Sequence, residues 1–228
     1  MLFLWLGSAG QPALIMALER GGLERLKAAA REQLSTFLLI GLPAATGVAL
    51  VARPLSEVLI GEELRIAAAS VTPWIALSAL LYGLTAYYFG QAFTLGKKTR
   101  RLLVAMAIPA GMNVVLNLIL VPRFGLMGAA WATAASFGLG LLATQMIGRR
   151  VMALPIPWDS LIRCGVATGV MALVVARLPA IGGFAELMLD ASVGGAVYAA
   201  AALTLNAAGV RDVAMRLLGQ MRERGATA

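Results

Sequence analysis

Residues 102–121 (LLVAMAIPAGMNVVLNLILV) and 124–147 (FGLMGAAWATAASFGLGLLATQMI) hold no Asp, Glu, Lys or Arg over 20 and 24 residues, and only Pro122-Arg123 separates them. As helices rising about 1.5 Å per residue, each can cross the roughly 30 Å hydrocarbon core of a bilayer. A two-residue connection between two crossings dictates an antiparallel pair, so the chain is built into a membrane. Composition agrees on separate grounds. With 60% hydrophobic and 13% charged residues in a chain of 228, a water-soluble domain would lack the polar surface to stay in solution.

Five more crossings follow from the same rule. Residues 2–18, 35–52, 66–95 and 191–210 carry no charged side chain, and 161–178 carries Arg163 and Arg177 only near its ends, where long side chains snorkel to the interface. The run 66–95 would be about 45 Å long as one helix, so it is expected to tilt, bend near Pro73 or begin outside the lipid. Segment 2–18 lacks a positively charged start and a cleavage site, and reads as a retained helix rather than a signal peptide. The expected fold class is all-α, a polytopic membrane helix bundle of about seven transmembrane helices. Its regions are 1–150 with the first five spans, 151–209 with two trailing helices, and 210–228 as a basic amphipathic tail.

Charge placement gives the expected sidedness. Alternate connections collect 15 of the 19 Lys and Arg on one side, leaving only Arg53, Arg65, Arg123 and Arg177 on the other. A positive-inside bias of that size puts the rich side in the cytoplasm, the N-terminus outside and the C-terminus inside. The net charge of +8 is thereby spread over four membrane-bordering segments, which excludes the groove-sized patch that nucleic acid requires. In residues 210–224, Val210, Val213, Leu217 and Met221 recur at helical spacing beside Arg211, Arg222 and Arg224. That pattern suits either a helix on anionic headgroups or a solvated basic tail. Residues 23–34 read the same two ways.

The sequence points away from enzyme chemistry. It has no His, a single Cys164, no phosphate-binding loop and no nucleophile elbow, so no metal site and no cofactor is expected. Glu62-Glu63 reads as a solvated turn in an outer connection. Asp190, at the opening of the last expected span, is read as facing water.

The spans instead carry packing and polar signals. Gly128, Ala132, Ser136, Gly140 and Thr144 recur every four residues on one face of the fifth span, a strip that lets another backbone approach closely. Gly165 and Gly169 offer a shorter strip on the sixth. Asn113 and Asn117 share a face of the fourth span, and an amide in lipid needs a partner, so they are expected either to bond across helices or to line a transport path. Pro43 and Pro109 are candidate hinges, because each leaves helix carbonyls unbonded.

Taken in order, several blocks resemble a known family. Gln11-Pro12-Ala13-Leu14, Leu42-Pro43-Ala44, Arg53-Pro54-Leu55, Ile60-Gly61-Glu62, Gly96-Lys97-Lys98-Thr99-Arg100, Asn113-Val114-Val115-Leu116-Asn117-Leu118, and the run Val121-Pro122-Arg123-Phe124-Gly125-Leu126-Met127-Gly128-Ala129-Ala130-Trp131-Ala132-Thr133 are similar to the second half of polysaccharide and lipid-linked oligosaccharide flippases. These belong to the multidrug/oligosaccharidyl-lipid/polysaccharide exporter superfamily. The resemblance covers most of residues 8–150. It implies one of two bundles that rock about a central cavity in the bacterial inner membrane, with membrane lipid and a lipid-linked oligosaccharide as partners. It also implies an N-terminal bundle missing from this chain, since complete members have about 12 to 14 spans. In such members basic residues in the cavity hold the diphosphate, and no Lys or Arg is expected mid-membrane here. Two rivals stand beside that reading: a cation-coupled multidrug exporter of the same superfamily, which an intramembrane carboxylate would favour, and a truncated, non-transporting membrane subunit.

Overall fold

A computed structural model describes residues 2–212, the side chains of residues 2–9 and 11 excepted. Among these residues the chain is all helix and turn, with five continuous helical runs long and apolar enough to cross a membrane. Two of the five fold back on themselves. The helix Leu2–Leu50 breaks at Gly22 (φ 64°, ψ −161°) into α1 (residues 2–21) and α2 (residues 23–50). The helix Thr99–Arg149 breaks at Gly125 (φ 53°, ψ −132°) into α6 (residues 99–124) and α7 (residues 126–149). Between the two breaks lie α3 (Ala52–Leu59), a 3-10 turn, α4 (Arg65–Leu84), a π-helical turn at Thr85–Phe89 and α5 (Gln91–Leu95). The trailing pair is α8 (Trp158–Val175) and α9 (Gly183–Thr204). Seven antiparallel passes result, as expected, from the five runs and the two reversals.

Each reversal is read from its contacts. A β-carbon on Gly10 would lie 2.1 Å from Gln33 Nε2, so α1 lies tightly against α2. Across Gly125, a β-carbon on Gly128 would lie 2.3 Å from the Leu120 carbonyl oxygen, and one on Gly140 would lie 3.1 Å from Pro109. The antiparallel pair of spans is present, with its turn displaced from the expected Pro122-Arg123. Both of those residues lie inside α6, and the chain reverses where a residue without a side chain can take positive φ.

α2 is the hub. It packs against α4 and the π turn on one side and against α8 and α9 on the other, while α4 carries the α6–α7 hairpin. The main core cluster joins Leu14 of α1, Leu26, Ala30, Leu34 and Leu38 of α2, Tyr88, Cys164 of α8 and Ala202 of α9. Residues 23–34 are therefore neither an interfacial helix nor a solvated linker. They are the first turns of α2, and Leu26, Ala30 and Leu34 are 1%, 0% and 3% exposed. Each buried position sits one turn after the last, on the face that meets the bundle.

The run from Arg65 keeps helical backbone angles through Pro73. It departs from α geometry twelve residues later, at Thr85–Phe89, where Gly90 N–H donates to the Thr85 oxygen at 2.8 Å across the π turn. The extra residue of a π turn rotates the face that follows and buries Gln91, Ala92 and Phe93 together with Tyr88. The last span begins at Gly183 rather than 191 and ends at Thr204 rather than 210. Carboxylates that bond the first free amides of a helix belong to it, so a search for uncharged runs starts it too late. Finally, a β-carbon on Gly165 or Gly169 of α8 would meet nothing within 4 Å. The packed face of α8 is Cys164, Ala167, Thr168, Met171 and Val175, and the close backbone approach comes from Gly194 of α9, beside Val175. Of the stretch 210–224, only 210–212 is described, and its amphipathic stripe lies outside the described residues.

Candidate functional site

Between α4, α6 and α7 lies a cavity of 390 Å³, and the register of the α6–α7 hairpin decides what lines it. Pro109 faces Gly140, and these two residues, Asn113 and Ser136 all border the space. Four residues singled out in the sequence thus meet at one place. Ala105 and Thr144 border it from the other end of the same seam, and Tyr82 of α4 and Thr85 of the π turn close it. A second cavity of 450 Å³ between α4 and α7 shares Tyr82, Thr133 and Phe137 with the first, so the two form one groove along the bundle. The Tyr82 and Phe137 rings, with centroids 5.5 Å apart, form the wall common to both.

Most polar atoms in this groove are committed to their own helices. Ser136 donates to the Ala132 oxygen at 2.6 Å, Thr133 to the Ala129 oxygen at 2.9 Å and Thr85 to the Leu81 oxygen at 2.8 Å. Such i−4 bonds let a hydroxyl sit in an apolar wall without an orphaned donor. Asn117 Nδ2 donates to the Asn113 backbone oxygen at 2.8 Å and to Asn113 Oδ1 at 3.0 Å. The two amides are therefore bonded to each other within α6, and among the described residues their hydrogen bonds do not cross to another helix. Spacing alone did not distinguish these outcomes, since a four-residue interval serves both. Thr144 Oγ1, buried at the seam, has no hydrogen-bond partner. No Lys or Arg lines either cavity.

The remaining sequence-selected residues fall elsewhere. Ala132 is 0% exposed, and Gly128 packs against the Leu120 backbone near the hairpin turn. Pro43 borders a separate cavity between α2, α8 and α9. Tyr82, Thr85 and Phe137 were not singled out in the sequence. The π turn at Thr85–Phe89 leaves no composition signal.

Charged groups concentrate at the two ends of the bundle. At one end Gly183 N–H donates to Glu57 Oε2 at 2.7 Å, and Arg53 Nε donates to Glu57 Oε1 at 3.1 Å. These two donors, the Gly183 amide first, hold the Glu57 carboxyl below its ordinary value. Glu57 also borders an open cleft of 900 Å³ with Arg53, Glu62 and Arg65. At the other end Arg163 Nη1 donates to the Leu205 oxygen at 3.0 Å, just past the close of α9. Lys97, Lys98, Arg100 and Arg101 surround the start of α6 at that same end.

The apolar exterior and seven alternating passes define a multi-pass, all-helical membrane protein. No protein-family profile matches the chain. It is similar to the uncharacterized membrane protein YabM of Bacillus subtilis (strain 168), at 29% identity over 201 residues, which cover 82% of this chain and 36% of that relative. Its fold matches that of the lipid II flippase MurJ in an inward closed conformation, with a TM-score of 0.74 at 15% identity. That match covers 89% of this chain and 43% of the other. The chain spans about a third of the curated relative and under half of the solved flippase.

Proposed function

We propose that this chain is one bundle of an alternating-access carrier that moves a lipid-linked oligosaccharide from the cytoplasmic to the outer leaflet of the bacterial inner membrane. The observation that carries the reading is the fold match to a lipid II flippase over nearly all of this chain and under half of that one. A large polar headgroup can pass hydrocarbon only through a shielded cavity, and a cavity open sideways lets the lipid tail remain in the bilayer. Here α6 is apolar on almost every side, with Leu103, Val115 and Leu118 strongly exposed, and a groove runs behind it. Asn113 lines the path, Pro43 and Pro109 are the hinges, and the Gly128, Ala132, Ser136 and Gly140 strip holds α7 against α6. The groove lacks a cation for a diphosphate, so those contacts belong to a partner bundle.

The test is polysaccharide export in a flippase-deficient bacterium. The chain is expected to fail alone and to restore export when joined to a matching N-terminal bundle. Asn113→Leu with Asn117→Leu in the joined protein should reduce export while leaving folded protein in the membrane. Full export by the 228-residue chain alone would overturn the half-carrier reading. One observation favours the cation-coupled multidrug exporter instead: Asp190 lies inside α9, about 10 Å from the helix start, and is 7% exposed. Efflux of a cationic dye by the joined protein, without polysaccharide export, would select that reading.

A further inference from the structure

α2, α8 and α9 enclose an apolar cavity of 370 Å³ away from the groove, and one carboxylate borders it. Asp190 is more than nine-tenths buried, and among the described residues its carboxyl has no hydrogen bond or ion pair. None of the residues bordering the cavity is a cation, and Arg177, two residues past Val175, is exposed. α2 contributes Pro43, Gly47 and their apolar neighbours, and α8 contributes Met171 and Val175. From α9 itself come Tyr198, whose hydroxyl donates to the Leu39 oxygen at 2.5 Å, and Glu186 one turn back, which is 7% exposed and accepts the Gly182 N–H at 2.6 Å. Cys164 of α8 lies beside Tyr198. α3, packed on the start of α9, brings Glu57 and Arg53, which are bound to each other.

An ionised carboxylate so placed would be unpaired and one turn from a second acid, whereas the neutral acid escapes both penalties. The site also has room. β-carbons on Gly47 and Gly195, which both border the cavity, would meet nothing within 4 Å. Toward the start of α9, Glu186 accepts the Gly182 N–H and Glu57 accepts the Gly183 N–H, so the two carboxylates are bonded to consecutive amides. Glu57 opens onto the 900 Å³ cleft.

We propose that Asp190 is a proton-binding site: its carboxyl takes up and releases a proton within the α2–α8–α9 cavity, and Glu186 and Glu57 relay that proton to the cleft. On release the Asp190 O–H bond breaks, its electron pair stays on the carboxylate, and the proton passes to the Glu186 carboxylate, then to Glu57 and to water. The site stands on its own geometry, and only its use in driving transport rests on the carrier reading.

Infrared spectra of the full chain in lipid nanodiscs test the site without any transport assay. At neutral pH a protonated-carboxyl carbonyl band is expected that shifts in D2O and is lost in Asp190→Asn, an isostere of the neutral acid. Glu186→Gln should keep the band and slow its deuterium exchange several-fold. A band unchanged in Asp190→Asn, one that never exchanges, or one removed by sodium ions at constant pH would overturn the proposal. If Asp190→Asn does not fold, the wild-type chain still decides. A hydrophobic carbodiimide should modify Asp190 at neutral pH and progressively less at alkaline pH, and no modification there would count against a held proton.

Discussion

Gly22 and Gly125 combine φ of 64° and 53° with ψ of −161° and −132°, where a β-carbon would crowd its own backbone. Neither position lacks space, since a β-carbon on either would meet nothing within 4 Å, so any cost of substitution is backbone strain alone. Gly125→Ala should therefore destabilise the protein by about 1 to 3 kcal/mol, measured as lost thermal stability in detergent. Gly111→Ala, in open space at helical φ, should cost nothing. Glu57 makes a different prediction, because its carboxyl is held below its ordinary value of 4.5 by the Gly183 amide and Arg53. A depressed folded-state value stabilises the protein above the ordinary value, and that stabilisation is lost as pH falls through the depressed one. The wild type should be more stable than Glu57→Gln at pH 7, and the gap should close below the ordinary carboxylate range. A gap independent of pH would remove the charge from the explanation.

Helices in this chain were legible in proportion to how apolar they are and illegible where long-range contacts set their ends. The spans at 102–121 and 124–147 announce themselves because nothing charged interrupts them; the first sits inside α6, and all of the second but Phe124 and Gly125 sits inside α7. α9 begins eight residues before the uncharged run, since Glu186 and Asp190 look like solvent residues until Gly182 and Gly183 are seen bonding to carboxylates. One of those carboxylates, Glu57, is 126 positions distant, beyond any periodicity. Arg163 at the far end of α9 completes a helix capped by an acid where its dipole is positive and by a base where it is negative. The groove was half legible: Asn113, Ser136 and Gly140 carry spacing signals, whereas Thr85 sits in a π turn and Tyr82 just before it, and neither carries a spacing signal. On α7, Ala132 and Ser136 are 0% and 1% exposed at a seam where backbones meet. Ala132→Leu should overpack it by about 1 to 3 kcal/mol, lowering thermal stability in detergent. Leu142→Ala on the exposed face should leave it unchanged.

At the scale of the whole molecule, alternation of the seven passes puts the Lys and Arg of residues 20–31, 97–101 and 149–163 at one end of the bundle. Arg53, Arg65, Arg123 and Arg177 lie at the other. Basic connections are usually retained on the cytoplasmic side, so the asymmetry predicts that the end carrying residues 97–101 faces the cytoplasm. The carrier reading depends on that sidedness, because the Glu57 cleft and the proton route from Asp190 must open to the outside while Lys97 and Lys98 face the cytoplasm. Chemistry offers a clean measurement. The protein has a single cysteine, and Cys164 is 0% exposed, so it should stay silent to a membrane-impermeant maleimide. Glu63→Cys places a thiol on an exposed turn at the Glu57 end, and Lys98→Cys places one on an exposed turn at the basic end. In intact bacterial cells the Glu63→Cys protein should label and the Lys98→Cys protein should label only after the membrane is opened. The reverse pattern would invert the molecule and turn the acid ladder toward the cytoplasm. Equal labelling of both before opening would mean that charge does not fix a single orientation for this chain.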